Sequence, residues 1–242
     1  MKFSVCIATF NGEKFIKEQL DSILCQLGVD DEIIISDDSS VDQTISIIES
    51  YKDKRIKIFV NQKFSSPIYN FENAIMKSTG DFIFLSDQDD IWQSDKVEKM
   101  LPLLERYDLV MSNARVVDAS TEIIKEKLYM KYPIKSFLYN LIRNPYTGCL
   151  IAFNRKALDY ILPFPQKLPM HDSWIGLCCQ SFSRVYFLDE NLILYRRHGM
   201  NASSTSERSS LSYLYRLQYR IYMLWQIAKR RMTYSYCSYF KR

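Results

Sequence analysis

Glycine and histidine are both scarce, with six and two in 242 residues. No G-x-G-x-x-G follows the first apolar run, so a dinucleotide cofactor is not expected. No apolar stretch approaches the ~20 residues that span a bilayer. After Met1-Lys2 the apolar residues alternate into a strand with no cleavage site behind it, so no secretory leader is expected. The six cysteines lack metal-ligand spacing. Cys6 and Cys149 sit in apolar strand patterns, and Cys178 and Cys179 are adjacent. Buried reduced thiols in a cytoplasmic protein are the expectation. The formal charge of +4 is mild and singles out no partner; nucleic acid is not expected among them. Internal repeats are absent.

What is present centres on Gly80-Asp81-Phe82-Ile83-Phe84-Leu85-Ser86-Asp87-Gln88-Asp89-Asp90-Ile91-Trp92. Phe82 to Leu85 reads as a strand buried on both faces. It runs into three carboxylates, Asp87, Asp89 and Asp90. Acids this close repel, and burying one unpaired is costly. A divalent cation such as magnesium or manganese, which prefers oxygen ligands, removes both problems. An acidic surface loop would not account for the buried strand before it.

The length allows one substantial core with a small appendage. Strands are expected at Phe3 to Thr9, Glu32 to Ser36, Ile56 to Val60 and Phe82 to Leu85. Helices are expected from Glu13 toward Gly28, from a Ser40/Gln43 capping box to Tyr51, and from Asn70 to Thr79. This alternation predicts an α/β fold, a mostly parallel sheet flanked by helices. Ligands bind such sheets at the carboxyl ends of strands, where Thr9-Phe10-Asn11, Asp37-Asp38 and Asp87-Gln88-Asp89 all fall. Further on, Ser94 opens a short helix that Pro102 interrupts or restarts. Leu109 to Ser112 and Tyr146 to Phe153 read as strands, and residues 118–145 as mixed helix and loop. His171 opens a helix to about Phe182. Arg184 to Leu188 and Leu192 to Arg196 read as a hairpin. A Ser-rich linker leads to a basic, aromatic, amphipathic helix from about Leu211 to Met232. It suits an anionic membrane surface and, equally, packing back on the domain or on a partner subunit.

These pieces together resemble the family 2 glycosyltransferases, inverting enzymes of the glycosyltransferase-A fold. The matching segments are Ser4 to Gly12, Ile34 to Ser40, Ser86 to Trp92, Thr147-Gly148-Cys149, His171-Asp172-Ser173-Trp174 and Tyr195 to Asn201. They stand in the family's order. The resemblance implies nucleotide-sugar contacts at Thr9, Asn11, Glu13, Asp38, Asp87, Gln88 and Asp90. It implies a metal, magnesium or manganese, at Asp89 with His198, and acceptor contacts at Thr147, Gly148 and Trp174. Asp172 would be the catalytic base. D-Q-D-D with H-D-S-W is similar to the branch containing bacterial rhamnosyltransferases, which suggests dTDP-rhamnose as donor. The acceptor would be a saccharide or lipid-linked saccharide in cell-surface polysaccharide synthesis. The Q-x-x-R-W motif of processive synthases is missing, which favours transfer of a single sugar. The expected domains are 1–205 (nucleotide half 1–92, acceptor half 93–205) and the helical tail 206–242. The expected location is cytoplasmic, peripheral on the inner face of the membrane.

The chemistry suits those residues. A departing diphosphate gathers charge that a divalent ion offsets, and the acceptor hydroxyl loses its proton to a base. Each residue also has a plainer role: helix N-cap for Asp172, satisfied core histidine for His198, core packing for Trp92 and Trp174. A sugar-1-phosphate nucleotidylyltransferase would need a Gly-rich basic loop where Asn11-Gly12-Glu13 stands. A phosphoacceptor receiver domain would be much shorter. A non-catalytic membrane-associated assembly subunit keeps the fold but needs no intact Asp172.

Overall fold

The computed structural model describes residues 1–198 and 213–240. Strands β1 (Phe3–Thr9), β2 (Glu32–Asp37), β3 (Ile56–Phe59) and β4 (Phe82–Ser86) alternate with helices α1 (Ile16–Leu24), α2 (Thr44–Ser50) and α3 (Pro67–Lys77). The four strands pair in parallel in the order β3-β2-β1-β4. Val5, Cys6, Ile7, Ile83, Phe84 and Leu85 are fully buried, because helices cover both faces of β1 and β4. Gly80 lies against the backbone of β1. A Cβ there would stand 2.6 Å from Phe3 C and Ser4 N, so only glycine lets the chain enter β4 at this distance.

The second half completes one mixed sheet. Its elements are β5 (Ile91–Trp92), α4 (Lys96–Leu104), β6 (Leu109–Val117), β7 (Ile123–Lys125), α5 (Phe137–Ile142), β8 (Ile151–Asn154), α6 (Leu158–Ile161), α7 (His171–Phe182) and β9 (Val185–Arg196). Antiparallel β8 joins β4 to β6, and β6 runs parallel to β9. Helix α7 is buried along its first nine residues, His171 to Cys179. A long helix α8 (Tyr213–Phe240) rests on it. No helix among the described residues is long and apolar enough to cross a membrane.

Several expectations need correction. The supposed hairpin at 184–196 is a single twelve-residue strand. Its polar triplet Asp189-Glu190-Asn191 makes no turn; the register jumps from Ser112↔Leu188 to Asn113↔Asn191, so Asp189 and Glu190 bulge out. Asn113 and Lys127 hold Asp189 there. The strand expected from Tyr146 begins only at Ile151, because Gly148–Leu150 coils into a 3₁₀ turn. Pro102 neither interrupts nor restarts α4; it sits inside the helix near its end. Ser40 does not cap α2: its hydroxyl donates to Asp37, and Asp42 accepts the Thr44 amide instead. Cys25, unlike the other described cysteines, is exposed, and none of the five forms a disulfide. The expected boundary at 205/206 and the Gly199-Met200-Asn201 end of the last motif lie outside the described residues.

Candidate active site

The carboxyl ends of β1, β2 and β4 are wired together by side chains that ordinarily punctuate turns. The Thr9 hydroxyl donates to Asp37 at 2.8 Å, and the Thr9 carbonyl accepts the Asp38 amide. Asn11 adopts a left-handed φ of 48° and accepts the Val41 amide. Glu13 accepts the Gln43 amide. Gln88 exchanges two bonds with the Phe10 backbone, 2.9 and 3.0 Å long, which ties the acidic loop to the first turn. Of the residues expected at the nucleotide, Thr9 is fully buried. Its hydroxyl props Asp37. Asp38 is half-buried and accepts the amides of Phe64 and Ser66, so it orders the segment leading into α3.

The acidic loop after β4 brings its three carboxylates to different fates. Asp89 meets His198, with Oδ2 and Nε2 2.8 Å apart. Phe15 stacks on that imidazole at 4.7 Å. Asp87 is half-buried. Asp90, expected as a sugar contact, is only 1% exposed and accepts the Arg196 amide; β9 covers it. Asp87, Asp90 and the Cys149 thiol converge within 4.8 Å. Burial, then the charges of Asp89 and Asp172, lift Asp87 to about 7. Burial, then the charges of Asp89 and Asp87, raise Asp90 well above the usual carboxylate range. Beneath them Lys96, fully buried, donates to the Cys149 carbonyl and lies 4.4 Å over the Trp92 ring. Burial pulls its amine down to about 7.

Asp172 stands apart from that cluster, in the first turn of α7. It is not the N-cap, which is Met170. Its Oδ1 accepts the Ser173 amide at 2.5 Å and the Asn144 side-chain amide at 3.2 Å. It is 9% exposed, and burial raises it to about 6 in spite of these bonds. Thr147, Gly148 and Trp174, expected to touch the acceptor, are enclosed. Thr147 shares a 2.7 Å bond with the Tyr129 hydroxyl. Gly148 lies against His171, whose Nε2 would stand 2.6 Å from any Cβ added there. The Trp174 indole donates to the Ile161 carbonyl, and Arg230 lies 4.8 Å over its ring. Asn144 and Tyr129 were missed by sequence reasoning, because no periodicity marks the segment that carries them.

The mixed sheet with an acidic loop at its strand end matches the glycosyltransferase-A fold. The structure of S. aureus TarS with UDP-GlcNAc superposes with a TM-score of 0.68 at 19% identity, over 96% of this chain and 73% of that one. A Pyrobaculum calidifontis mannosyltransferase with GDP-Man and Mn2+ gives 0.60 at 18% identity, over 84% of this chain and 58% of that one. The chain belongs to glycosyltransferase family 2, whose family model (Glycosyl transferase family 2) matches residues 4–162. An uncharacterized glycosyltransferase of Nostoc sp. is 28% identical over 88% of this chain and 71% of its own length. The dTDP-rhamnosyl transferase RfbG of Shigella flexneri is 29% identical over 81% of this chain and 72% of its own length.

The residues fit a divalent cation. Burial, then the charges of Asp89 and Asp172, push Asp87 upward, and the buried Lys96 amine faces Asp90 and Asp87. The cluster with Cys149 is the poorer donor set, because burial keeps that thiol protonated and hard cations prefer oxygen. Asp89 and His198, half-buried, are the better pair.

Arg196, inside the Tyr195 to Asn201 segment but given no role there, is a positioning residue. It is 2% exposed. Its Nε donates to the Asp89 carbonyl at 2.8 Å, one terminal nitrogen to the Ala119 carbonyl and the other to Glu18. Lysine cannot reproduce this fork. Arg196→Lys is therefore expected to weaken manganese-supported nucleotide binding about tenfold, the usual cost of losing a group that orients a metal ligand. A manganese titration by calorimetry in the presence of a nucleoside diphosphate checks it.

Proposed function

We propose that this enzyme transfers a single sugar, with inversion, from a nucleoside-diphosphate donor to a hydroxyl of a saccharide or lipid-linked saccharide. Residues 1–92 would hold the nucleotide and 93–205 the acceptor, with 206–242 a separate tail. The observation that carries the reading is one carboxylate, Asp172, set at about 6 on a rigid buried helix and facing a second, mutually repelling carboxylate group. Inversion is a single displacement and needs one base and no nucleophilic side chain. Asp172 is ionised near neutral pH yet basic enough to take the acceptor proton, the balance that general-base catalysis favours. Asn144 and the Ser173 amide hold its Oδ1 and fix where Oδ2 points. A magnesium or manganese ion held by Asp89 and His198, with Asp87 beside them, would offset the charge of the departing diphosphate.

The donor assignment, dTDP-rhamnose, draws support from the likeness to the Shigella dTDP-rhamnosyl transferase. A lipid-linked acceptor at the inner face of the membrane draws support from an Escherichia coli relative, 26% identical over 68% of this chain, named as acting on GlcNAc-diphosphoundecaprenol. Calorimetry with dTDP, UDP and GDP in the presence of manganese tests the donor. A pocket shaped to one base is expected to favour dTDP about tenfold, the typical worth of a small apolar group in a fitted pocket. Preference for UDP or GDP would overturn dTDP-rhamnose, and failure to bind any of the three would overturn nucleotide-sugar chemistry.

A further inference from the structure

Helix α8 turns one face to the domain. Arg220, Met223, Ile227, Arg230, Arg231 and Tyr234 follow one another at helical spacing, and Met223 and Ile227 are buried. Tyr234 packs edge-on against Tyr160 and Phe182. The three arginines of this face all donate to carbonyls at helix ends. Arg220 reaches Ile142, the last residue of α5, Arg230 the end of α6, and Arg231 the Ser181 carbonyl near the end of α7. Such carbonyls have no partner within their own helix and carry its partial negative charge. The α6 end is met most completely. Its successive carbonyls accept side-chain donors in turn: Tyr160, Leu162 and Pro163 from Arg230, and Ile161 from the Trp174 indole. The Arg230 guanidinium lies 4.8 Å over the ring of that same tryptophan. Glu72 of α3, whose charge acts on Arg230, accepts the next amide, that of Phe164.

The geometry points to Arg230 as a positioning residue for the base: by locking the end of α6 to Trp174, it fixes the first turn of α7 and the direction in which Asp172 stands. The inference rests on the reading of Asp172 as general base given above. Trp174 is fully buried and follows Asp172 by two residues within one turn of α7, so the two move as a rigid unit. On the other flank Arg220 holds Ile142, two residues before Asn144, whose side chain bonds Asp172. The tail that stands apart in sequence therefore reaches both flanks of the base. A misplacement of about 1 Å at a reacting group can cost about 10²-fold in rate. Lysine would keep the charge but could not span three carbonyls while covering the ring.

Arg230 lines an open cleft of about 500 Å³ with Asp159, Tyr160, Leu162, Pro163 and Gln226, so the space that alanine would leave is open to a small cation. The test follows release of nucleoside diphosphate in the presence of a GlcNAc-diphosphoundecaprenol acceptor. The donor is whichever of dTDP-rhamnose, UDP-glucose and GDP-mannose the wild type consumes. Arg230→Ala is expected to lower kcat roughly 10–10²-fold and to change the donor KM by no more than about twofold. The bonds of Arg230 go to residues 160, 162 and 163 and not to the loops at Asp38 and Asp89. Millimolar guanidinium chloride should restore much of the rate to Arg230→Ala, and ammonium chloride should not. Arg230→Lys should fold as the wild type does and still lose about tenfold in kcat. Arg231→Ala, which strips a carbonyl at the far end of α7, should melt lower and keep its kcat. Near wild-type kcat in Arg230→Lys overturns the inference, whether or not Arg230→Ala folds. A folded Arg230→Ala protein that guanidinium does not restore overturns it too. Equal losses in Arg231→Ala and Arg230→Ala would also overturn it, by showing a general loosening of α8. A wild-type chain that consumes none of the three donors overturns the transfer reading itself, and the role of Arg230 with it.

Discussion

Asp172→Asn is expected to yield a folded protein that binds its donor normally and transfers sugar roughly 10²–10⁴-fold more slowly, the usual worth of a general base. The substitution keeps shape and an oxygen for the Ser173 amide and the Asn144 side chain, so the local bonds survive. Only the capacity to take a proton is removed. The pH dependence follows with a definite sign. Burial raises this carboxyl to about 6, so lowering the pH through 6 protonates it. In the wild-type enzyme kcat/KM should therefore fall on the acid side of about pH 6, since that quantity reports ionisations of the free enzyme. The residual rate of Asp172→Asn should lack this acid limb. A purely structural role predicts something else: lost thermal stability, with activity falling in step. Near-normal turnover by a folded Asp172→Asn protein would remove Asp172 from the mechanism.

The first half of the fold was legible because local and long-range signals agree there. Short buried strands, helical stripes and strand-end acids each point to the same parallel unit, and β1, β2 and β4 fall within one residue of their expected positions. The second half obeys contacts that no local pattern carries. Nothing near Asp189-Glu190-Asn191 distinguishes a bulge from a turn; Asn113 and Lys127, far off in sequence, decide it. Residues 118–145 are held largely through side-chain bonds such as Asn113 to Tyr129 and Asn140 to Gln180, which leave no periodicity to read. Motifs behaved similarly. They located the loops that build the site, and they did not separate side chains that face a ligand from those that hold the loop. Thr9, Asp90, Gly148 and Trp174 are all enclosed. Lys96 looked like an ordinary charged residue, and Arg196 stood in a motif without a role, because what marks them is burial against partners distant in sequence.

Asp89→Ala is expected to abolish the manganese-dependent part of nucleotide binding and to slow transfer by roughly 10²–10³-fold, comparable to deleting one electrostatic contact to a developing negative charge. The argument turns on what the substitution leaves behind. Arg196 holds this position through the backbone carbonyl of Asp89, not through its carboxylate, so alanine keeps the loop where it is. Gln88 and the Phe10 backbone pin the loop from the other side, again without the Asp89 side chain. The substitution therefore removes the carboxylate and its contact with His198 while those backbone ties remain. Stability should move the opposite way from function. Asp89 is among the charges that repel Asp87 and Asp90, so its removal relieves the cluster. Thermal melting of the metal-free variant should show a midpoint no lower than wild type, while manganese, which stabilises wild type by binding its folded form, should raise the variant's midpoint far less. Asp172→Asn should keep the manganese response that Asp89→Ala loses, so the pair separates leaving-group assistance from proton abstraction. Nucleotide binding indifferent to manganese in the wild-type protein, or an undiminished response in Asp89→Ala, would move the metal away from this carboxylate and leave its contact with His198 a structural pair.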